Sequence, residues 1–140
     1  MRLTKVVKET FYVPNDPDKG FIIIKHLKID EVKKITSDVA DMFYETDAVT
    51  GKTVSRLNPN SYQLTKAMAH ASLVSWGNMK DLMGNEMPFL SVNIDAAAEF
   101  EISITVDEKE VILDFYGWID KCRKELTDTV KQQEALAKEN

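Results

Sequence analysis

Few residues in this 140-residue chain are of types that carry out catalysis or bind metal ions. Its two histidines, His26 and His70, have no acidic, cysteine or histidine neighbour three or four positions away on a shared helical face. A metal site or a general base needs such neighbours, so both histidines are predicted to be structural. The single cysteine, Cys122, falls on the apolar stripe of a predicted helix, which favours a core residue over a nucleophile. The sequence therefore predicts no catalytic residues, no metal ligands and no enzymatic activity.

Two short motifs suggest a nucleotide or a calcium ion but lack essential positions. Residues 50–53 read Thr-Gly-Lys-Thr, like the end of a phosphate-binding loop, yet Thr46 stands where that loop requires a glycine. Asp16 and Asp18 could begin a calcium loop, but its twelfth position is Leu27 instead of a bidentate carboxylate. Both segments are better interpreted as turns, and no cofactor is expected.

Charge is distributed unevenly along the chain, whose net charge is −5. Residues 1–34 carry eight basic and five acidic side chains, whereas the remainder carries ten basic and eighteen acidic ones. The densest acidic stretch runs from Asp95 to Asp114. Such a surface repels phosphate and disfavours nucleic-acid binding, while it could attract a basic protein or simply be a solvated face.

Compartment is indicated by the apolar runs and the cysteine count. The longest unbroken apolar run is Phe21–Ile24, far too short for a membrane span, and the first five residues lack an apolar signal core. One cysteine cannot form an internal disulfide. The expectation is a cytoplasmic protein without a membrane segment.

The first half of the chain is predicted to form a hairpin and two helices. Phe11–Val13 and Phe21–Ile24 are β-prone runs separated by a turn-rich segment. A helix is expected from Glu31 to about Tyr44 with Asp30 as its N-cap. A short hairpin around Thr50–Gly51 follows, and then a central helix from Tyr62 to about Trp76, capped by Asn60 or Ser61.

The second half is predicted to contain a loop, a short helix, a strand and a long helix. The loop spans 77–89, and the short helix runs from Ser91 or Asn93 through Ala98. Residues 100–106 alternate as a strand does, although a frayed helix is the competing interpretation. The last helix is expected to begin at Asp107 or Glu108, with one apolar stripe formed by Val111, Phe115, Trp118, Ile119, Cys122 and Leu126.

These elements predict an α+β fold. Residues 1–130 are expected to form a single, mainly helical domain with an N-terminal β-hairpin and a long C-terminal helix. The apolar stripe thins beyond Leu126, so residues 131–140 are expected to be a frayed tail.

The most distinctive pattern lies in residues 76–91. It consists of a tryptophan, an Asp-x-x-Gly turn and a Pro-Phe pair ahead of a helix start, namely Trp76, Asp81, Gly84, Pro88 and Phe89. Together with the aromatic segment 115–119 and the segment 22–32, it resembles the small tail assembly chaperones of long-tailed (siphovirus-type) bacteriophages. The similarity covers about residues 20–122. The residues also have a local reason, because Gly84 permits a positive φ and Pro88 fixes the backbone ahead of the next segment.

The resemblance implies a protein-binding function during virion assembly. Such chaperones coat the aggregation-prone tape measure protein and keep it soluble until tail-tube subunits polymerise around it. The expected partners are the tape measure protein and, as a further candidate, the tail-tube protein, with the chain itself a monomer or weak homo-oligomer. Adaptable or aromatic side chains are candidates for the binding surface: Met79, Met83, Met87, Phe115 and Trp118.

Two other classes of function stay open on the sequence alone. A head–tail connector or tail-completion protein would form a defined ring in the virion. An acidic regulator would bind its target through the 95–114 surface.

Overall fold

The computed structural model describes residues 7–39, 41–46, 49–58 and 61–139. Within these residues, helices and antiparallel strands are mixed, which confirms the α+β class. The strands are β1 (Lys8–Tyr12), β2 (Phe21–Lys25), β3 (Asp41–Thr46), β4 (Thr53–Asn58), β5 (Leu73–Gly77), β6 (Glu101–Val106) and β7 (Lys109–Asp114). The helices are α1 (Ile29–Val39), α2 (Ser61–Ser72), α3 (Ser91–Ala97) and α4 (Phe115–Glu139).

A three-stranded antiparallel sheet in the order β1-β2-β5 forms one wall of the core. The central strand β2 buries Ile22 and Ile24 completely. In the turn between β1 and β2, the Asp16 carboxylate accepts hydrogen bonds from the N–H groups of Asp18 and Gly20 at 3.0 and 2.9 Å. The aspartates therefore form an ordinary turn, as the sequence indicated.

Helix α1 starts and ends earlier than predicted. Lys28 occupies the cap position, because its carbonyl accepts the Val32 N–H at 3.0 Å and its own N–H donates to the Glu31 carboxylate. The prediction of Asp30 as the N-cap was wrong. The predicted end at Tyr44 was wrong too, since residues 41–46 form β3. The consecutive Met-Phe-Tyr of this segment favours a strand, and pairing with β4 satisfies its backbone.

The β3–β4 hairpin turns at residues 49–52, where Gly51 has a φ of +68°. This is the turn that the sequence placed at Thr50–Gly51, and it supports the interpretation of that motif as a turn. Residue 60, one of the two candidate caps for the next helix, lies outside the described residues. The other candidate, Ser61, is the first residue of α2.

Helix α2 gives way directly to β5, so the predicted extension to Trp76 was wrong. The buried Ser72 hydroxyl donates to the carbonyl of Met68 at 2.8 Å and so occupies an acceptor in the last turn of the helix. The next residues, Leu-Val-Ser-Trp, favour a strand and pair with the edge of β2. Trp76 consequently lies in a strand instead of closing a helix.

The strand predicted over 100–106 is confirmed as β6, whose Ile102 and Ile104 are buried; the frayed-helix alternative was wrong. The prediction that α4 begins at Asp107 or Glu108 was also wrong. Both residues have positive φ, 51° and 65°, and form the two-residue turn into β7. Helix α4 begins at Phe115, with the Asp114 carboxylate accepting the Gly117 N–H at 2.8 Å as an N-cap.

The core is completed by α4, which packs against α2, β2 and β6. Its buried stripe follows the predicted spacing from Phe115 onward, whereas Val111 lies on β7 and is partly exposed. Helical structure extends through Glu139, across the segment that the sequence predicted to fray, and the side chains of residues 131–137 are exposed. The buried residues of α4 are Phe115, Tyr116, Trp118, Ile119, Cys122, Leu126 and Val130.

The β6–β7 turn yields a stability prediction. Glu108 has a left-handed backbone that costs a non-glycine residue free energy, so Glu108→Gly is expected to stabilise the fold by about 0.5–1 kcal/mol. Glu110→Gly, in extended β7, is the control and is expected to destabilise by a similar amount. Thermal unfolding checks both, and a lower Tm for Glu108→Gly would contradict the assigned turn.

Candidate partner-binding loop

Trp76 attaches the loop of residues 78–90 to the core. Its indole Nε1–H donates to the carbonyl oxygen of Met87 at 2.7 Å. Its ring meets Phe89 edge-on at 5.4 Å between centroids and lies 6.0 Å from the ring of Phe115 at the start of α4. Both ends of the indole are therefore used, the polar end by the loop backbone and the apolar body by the core.

The loop is braced by its own backbone. Met87 N–H donates to the Met79 carbonyl at 2.7 Å, and Asp81 N–H donates to the Asn85 carbonyl at 2.9 Å. At the tip, one oxygen of the Asp81 carboxylate accepts the N–H groups of Met83 and Asn85, both at 2.9 Å. Gly84 closes the turn with a φ of +82°, as the Asp-x-x-Gly pattern predicted.

This braced turn carries exposed apolar side chains. Leu82 is 92% exposed and Met83 is 85% exposed, both at the tip. Leu90, the last residue of the loop, and Val92 in α3 are also exposed. Single exposed apolar residues are common, but two adjacent ones held on a hydrogen-bonded turn form a local patch.

The residues that the sequence proposed for partner binding fall into two groups. Met83 is on the exposed tip, whereas Met79 and Met87 are partly buried against the core. Phe115 and Trp118 are 1% and 3% exposed, so both are core residues and neither offers a partner an accessible surface. Pro88 and Phe89 hold the return of the loop: the Pro88 carbonyl accepts the Asn93 side-chain amide at 2.9 Å, and Phe89 packs on Trp76.

Leu82 was not among the predicted binding residues, since the loop candidates were its methionines. Its position directly after the turn-forming Asp81 was the available signal, because connecting segments lie on the protein surface.

A polar cluster joins α2, α3 and α4 on another part of the surface. Asp95 accepts hydrogen bonds from His70 Nε2 at 2.9 Å and from the Tyr116 hydroxyl, with Lys66 Nζ at 3.9 Å. His70 is thus a satisfied structural histidine, as predicted, although its partner is 25 residues away in sequence. The cluster cross-links three helices and includes no serine or cysteine nucleophile.

Hydrogen bonds and burial in this cluster shift the pKa values of Asp95 and Tyr116. The hydrogen bond from Tyr116, followed by that from His70, lowers the pKa of Asp95 below its ordinary 3.8. Burial, followed by the hydrogen bond to Asp95, raises the pKa of Tyr116 and keeps its hydroxyl protonated.

Cys122 is unsuited to nucleophilic chemistry. Burial, followed by the nearby Glu125 carboxylate, raises the pKa of its thiol to about 12, so the reactive thiolate is scarce at neutral pH.

In the described part of the chain, no three His, Cys, Asp or Glu side chains converge as metal ligands would. No helix there combines the length and apolar composition needed to span a bilayer.

The bracing of the loop can be tested at Asp81. Asp81→Ala removes the acceptor for two backbone N–H groups and is expected to weaken the loop by about 1 kcal/mol. Amide hydrogen exchange at Met83 and Asn85 should then accelerate roughly fivefold. Asp81→Asn keeps one side-chain oxygen and is the control. Equal exchange rates in the wild type and the Ala variant would contradict the bracing.

The polar cluster predicts a pH dependence. Because the folded state lowers the pKa of Asp95, its ionised form stabilises the fold above pH 3.8, and this contribution is lost as pH falls through the folded pKa. Urea unfolding at about pH 6 and about pH 3 should therefore show a smaller loss of stability in Asp95→Asn than in the wild type. Parallel pH profiles would show that the cluster does not stabilise the charged carboxylate.

No protein family model matches this chain, and no curated protein or solved structure matches it.

Proposed function

We propose that this chain is a tail assembly chaperone that binds the tape measure protein of a long-tailed phage and keeps it soluble during tail morphogenesis. The single observation that carries the proposal is the exposed pair Leu82 and Met83 on a braced loop. The residue pattern at 76–91, which resembles such chaperones, supplies the class of partner.

A braced loop suits a protein that must bind apolar segments. Ordering a flexible loop on binding costs conformational entropy. The hydrogen bonds of Asp81 and Trp76 already order this loop before a partner binds, so that cost is smaller. Methionine is unbranched and polarisable, so Met83 can adapt to differing apolar partners. Such a tip can accept many similar segments in place of one unique sequence.

The size of the patch suits transient binding. Two tip residues, with Leu90 and Val92 nearby, offer a small apolar area, and small interfaces form weak and short-lived complexes. An amphipathic helix presents apolar residues along one face and is the expected partner segment. Weak contacts repeated along a long helical protein would prevent its aggregation and still release it as tail-tube subunits polymerise.

The rest of the proposal follows from that role. Binding takes place in the host cytoplasm, the chain acts as a monomer or weak homo-oligomer, and the tail-tube protein is a further candidate partner. A connector or tail-completion protein would instead form a stable ring and remain in the finished virion.

The test is co-expression with the tape measure protein of the same phage. The wild type is expected to keep that protein soluble and to co-purify with it. The double variant Leu82→Ser, Met83→Ser should reduce the co-purified amount at least about tenfold, because it removes two side chains worth roughly 1.5–3 kcal/mol each when buried.

Leu136→Ser is the matched control, since Leu136 is 63% exposed on α4 and away from the loop in sequence. It should behave as the wild type. If the wild type fails to solubilise the tape measure protein, or if the double variant binds equally well, the proposal is wrong. A discrete ring by mass photometry would favour the connector class.

A further inference from the structure

A cleft of about 340 Å³ lies between the end of β1 and the middle of β6. Its walls are residues 11–15 on one side and residues 103–105 on the other. Its floor is the face of α4 that carries Trp118, Lys121, Cys122 and Glu125. A second cavity of about 150 Å³ lies between the same two chain segments, beside Val13 and Phe100–Ile102. Together they follow β6 for five residue steps, roughly 17 Å of extended chain.

The edge of β1 that faces away from β2 has unpaired backbone groups. Val13 N–H donates to the Gly20 carbonyl, and His26 N–H donates to the Val7 carbonyl, both at 2.8 Å. Hydrogen-bonded pairs alternate along an antiparallel ladder, so Thr10 and Tyr12 lie in the pairs between them. Their N–H and C=O groups therefore point outward, away from β2.

The free edge of β6 follows from its turn. A two-residue turn with positive φ at both positions makes the flanking Val106 and Lys109 a hydrogen-bonded pair. Counting back along the ladder, Ser103 and Thr105 lie in non-hydrogen-bonded pairs. Their backbone groups point away from β7, and both residues line the cleft.

The side chains around the cleft are apolar on the β1 wall and acidic at one end. The partly buried Phe11 and the exposed Tyr12 provide apolar surface, Ile104 and Trp118 are buried beneath the floor, and Lys121 is paired with Glu125 at 2.6 Å. At the smaller cavity, Lys80 is paired with Asp18 at 3.4 Å. Glu101 lines that cavity and has no cationic partner within the described residues.

From these observations we infer that the cleft is a docking site for an extended segment of another protein, which adds as a β-strand to the open edges of β1 and β6. Outward backbone N–H and C=O groups on the walls require a partner with its own unpaired backbone, which a strand offers and a helix does not. Phe11 and Tyr12 favour apolar side chains at alternate positions of that strand, and Glu101 favours a basic residue at one end. None of the strands among the described residues has both edges free, so a folded second copy offers no such strand, and the occupant is an unstructured segment. The site is separate from Leu82 and Met83 and does not depend on the assembly role.

The test uses a display library of heptapeptides that alternate apolar and freely varied positions. Selection on the wild-type protein is expected to enrich peptides with a basic residue near one end. Thr105→Pro removes one outward N–H from the cleft edge without touching the β6–β7 ladder and should weaken these peptides about tenfold. Ile112→Pro is the matched control, because Ile112 is the cross-strand partner of Ser103 in a pair of the same kind and its N–H points to the opposite edge. It should leave binding unchanged.

A second measurement avoids substitutions that affect folding. Hydrogen exchange of the wild type should show the amides of Thr10, Tyr12, Ser103 and Thr105 exchanging quickly alone and slowly with a selected peptide. The proposal is overturned if no peptide is enriched, if Thr105→Pro and Ile112→Pro weaken binding equally, or if the peptide protects other amides instead. Self-association that is lost in Thr105→Pro, with no enriched peptide, would assign the edge to a second copy and would also overturn it.

Discussion

The contact of the Trp76 indole with the loop is the constraint on which the candidate site depends. The hydrogen bond to the Met87 carbonyl and a series of three ring contacts connect the loop to the first turn of α4; the contacts are Phe89–Trp76, Trp76–Phe115 and Phe115–Trp118. Without that anchor, Met79 and Met87 would have no fixed place against the core, and the Asp81 turn would have no defined direction. The exposed apolar tip keeps a fixed position only while Met79 and Met87 stay packed against the core.

Local patterns in the sequence predicted the elements whose signals are local. Alternation identified β6, the Asp-x-x-Gly pattern identified the turn at Asp81, and helical spacing identified the buried stripe of α4. Apart from the Asp30 cap at the start of α1, the errors in secondary structure lie next to helices, at residues 41–46, 73–77 and 107–114. There, short runs of β-prone residues follow or precede a helix directly, and strand pairing decided their structure.

The site could be predicted only in part, for a related reason. Burial depends on the partners that tertiary structure supplies, so Phe115 and Trp118 looked available in the sequence and are core residues in the fold. The partner of His70 could not be predicted either, because its hydrogen bond to Asp95 joins two helices across 25 residues of sequence. A free strand edge likewise cannot be predicted from the local sequence, because it depends on which strands pair with one another in the fold.

The junction between β7 and α4 contains no connecting residue, since the strand ends at Asp114 and the helix begins at Phe115. The Asp114 cap bonds the last strand residue to the first turn of the helix, so the hairpin and the helix share one rigid joint. A rotation of the β6–β7 hairpin would therefore displace the first turn of α4, where the Phe115 ring contacts the Trp76 ring. The hairpin and the loop anchor are thereby connected through contacting aromatic side chains.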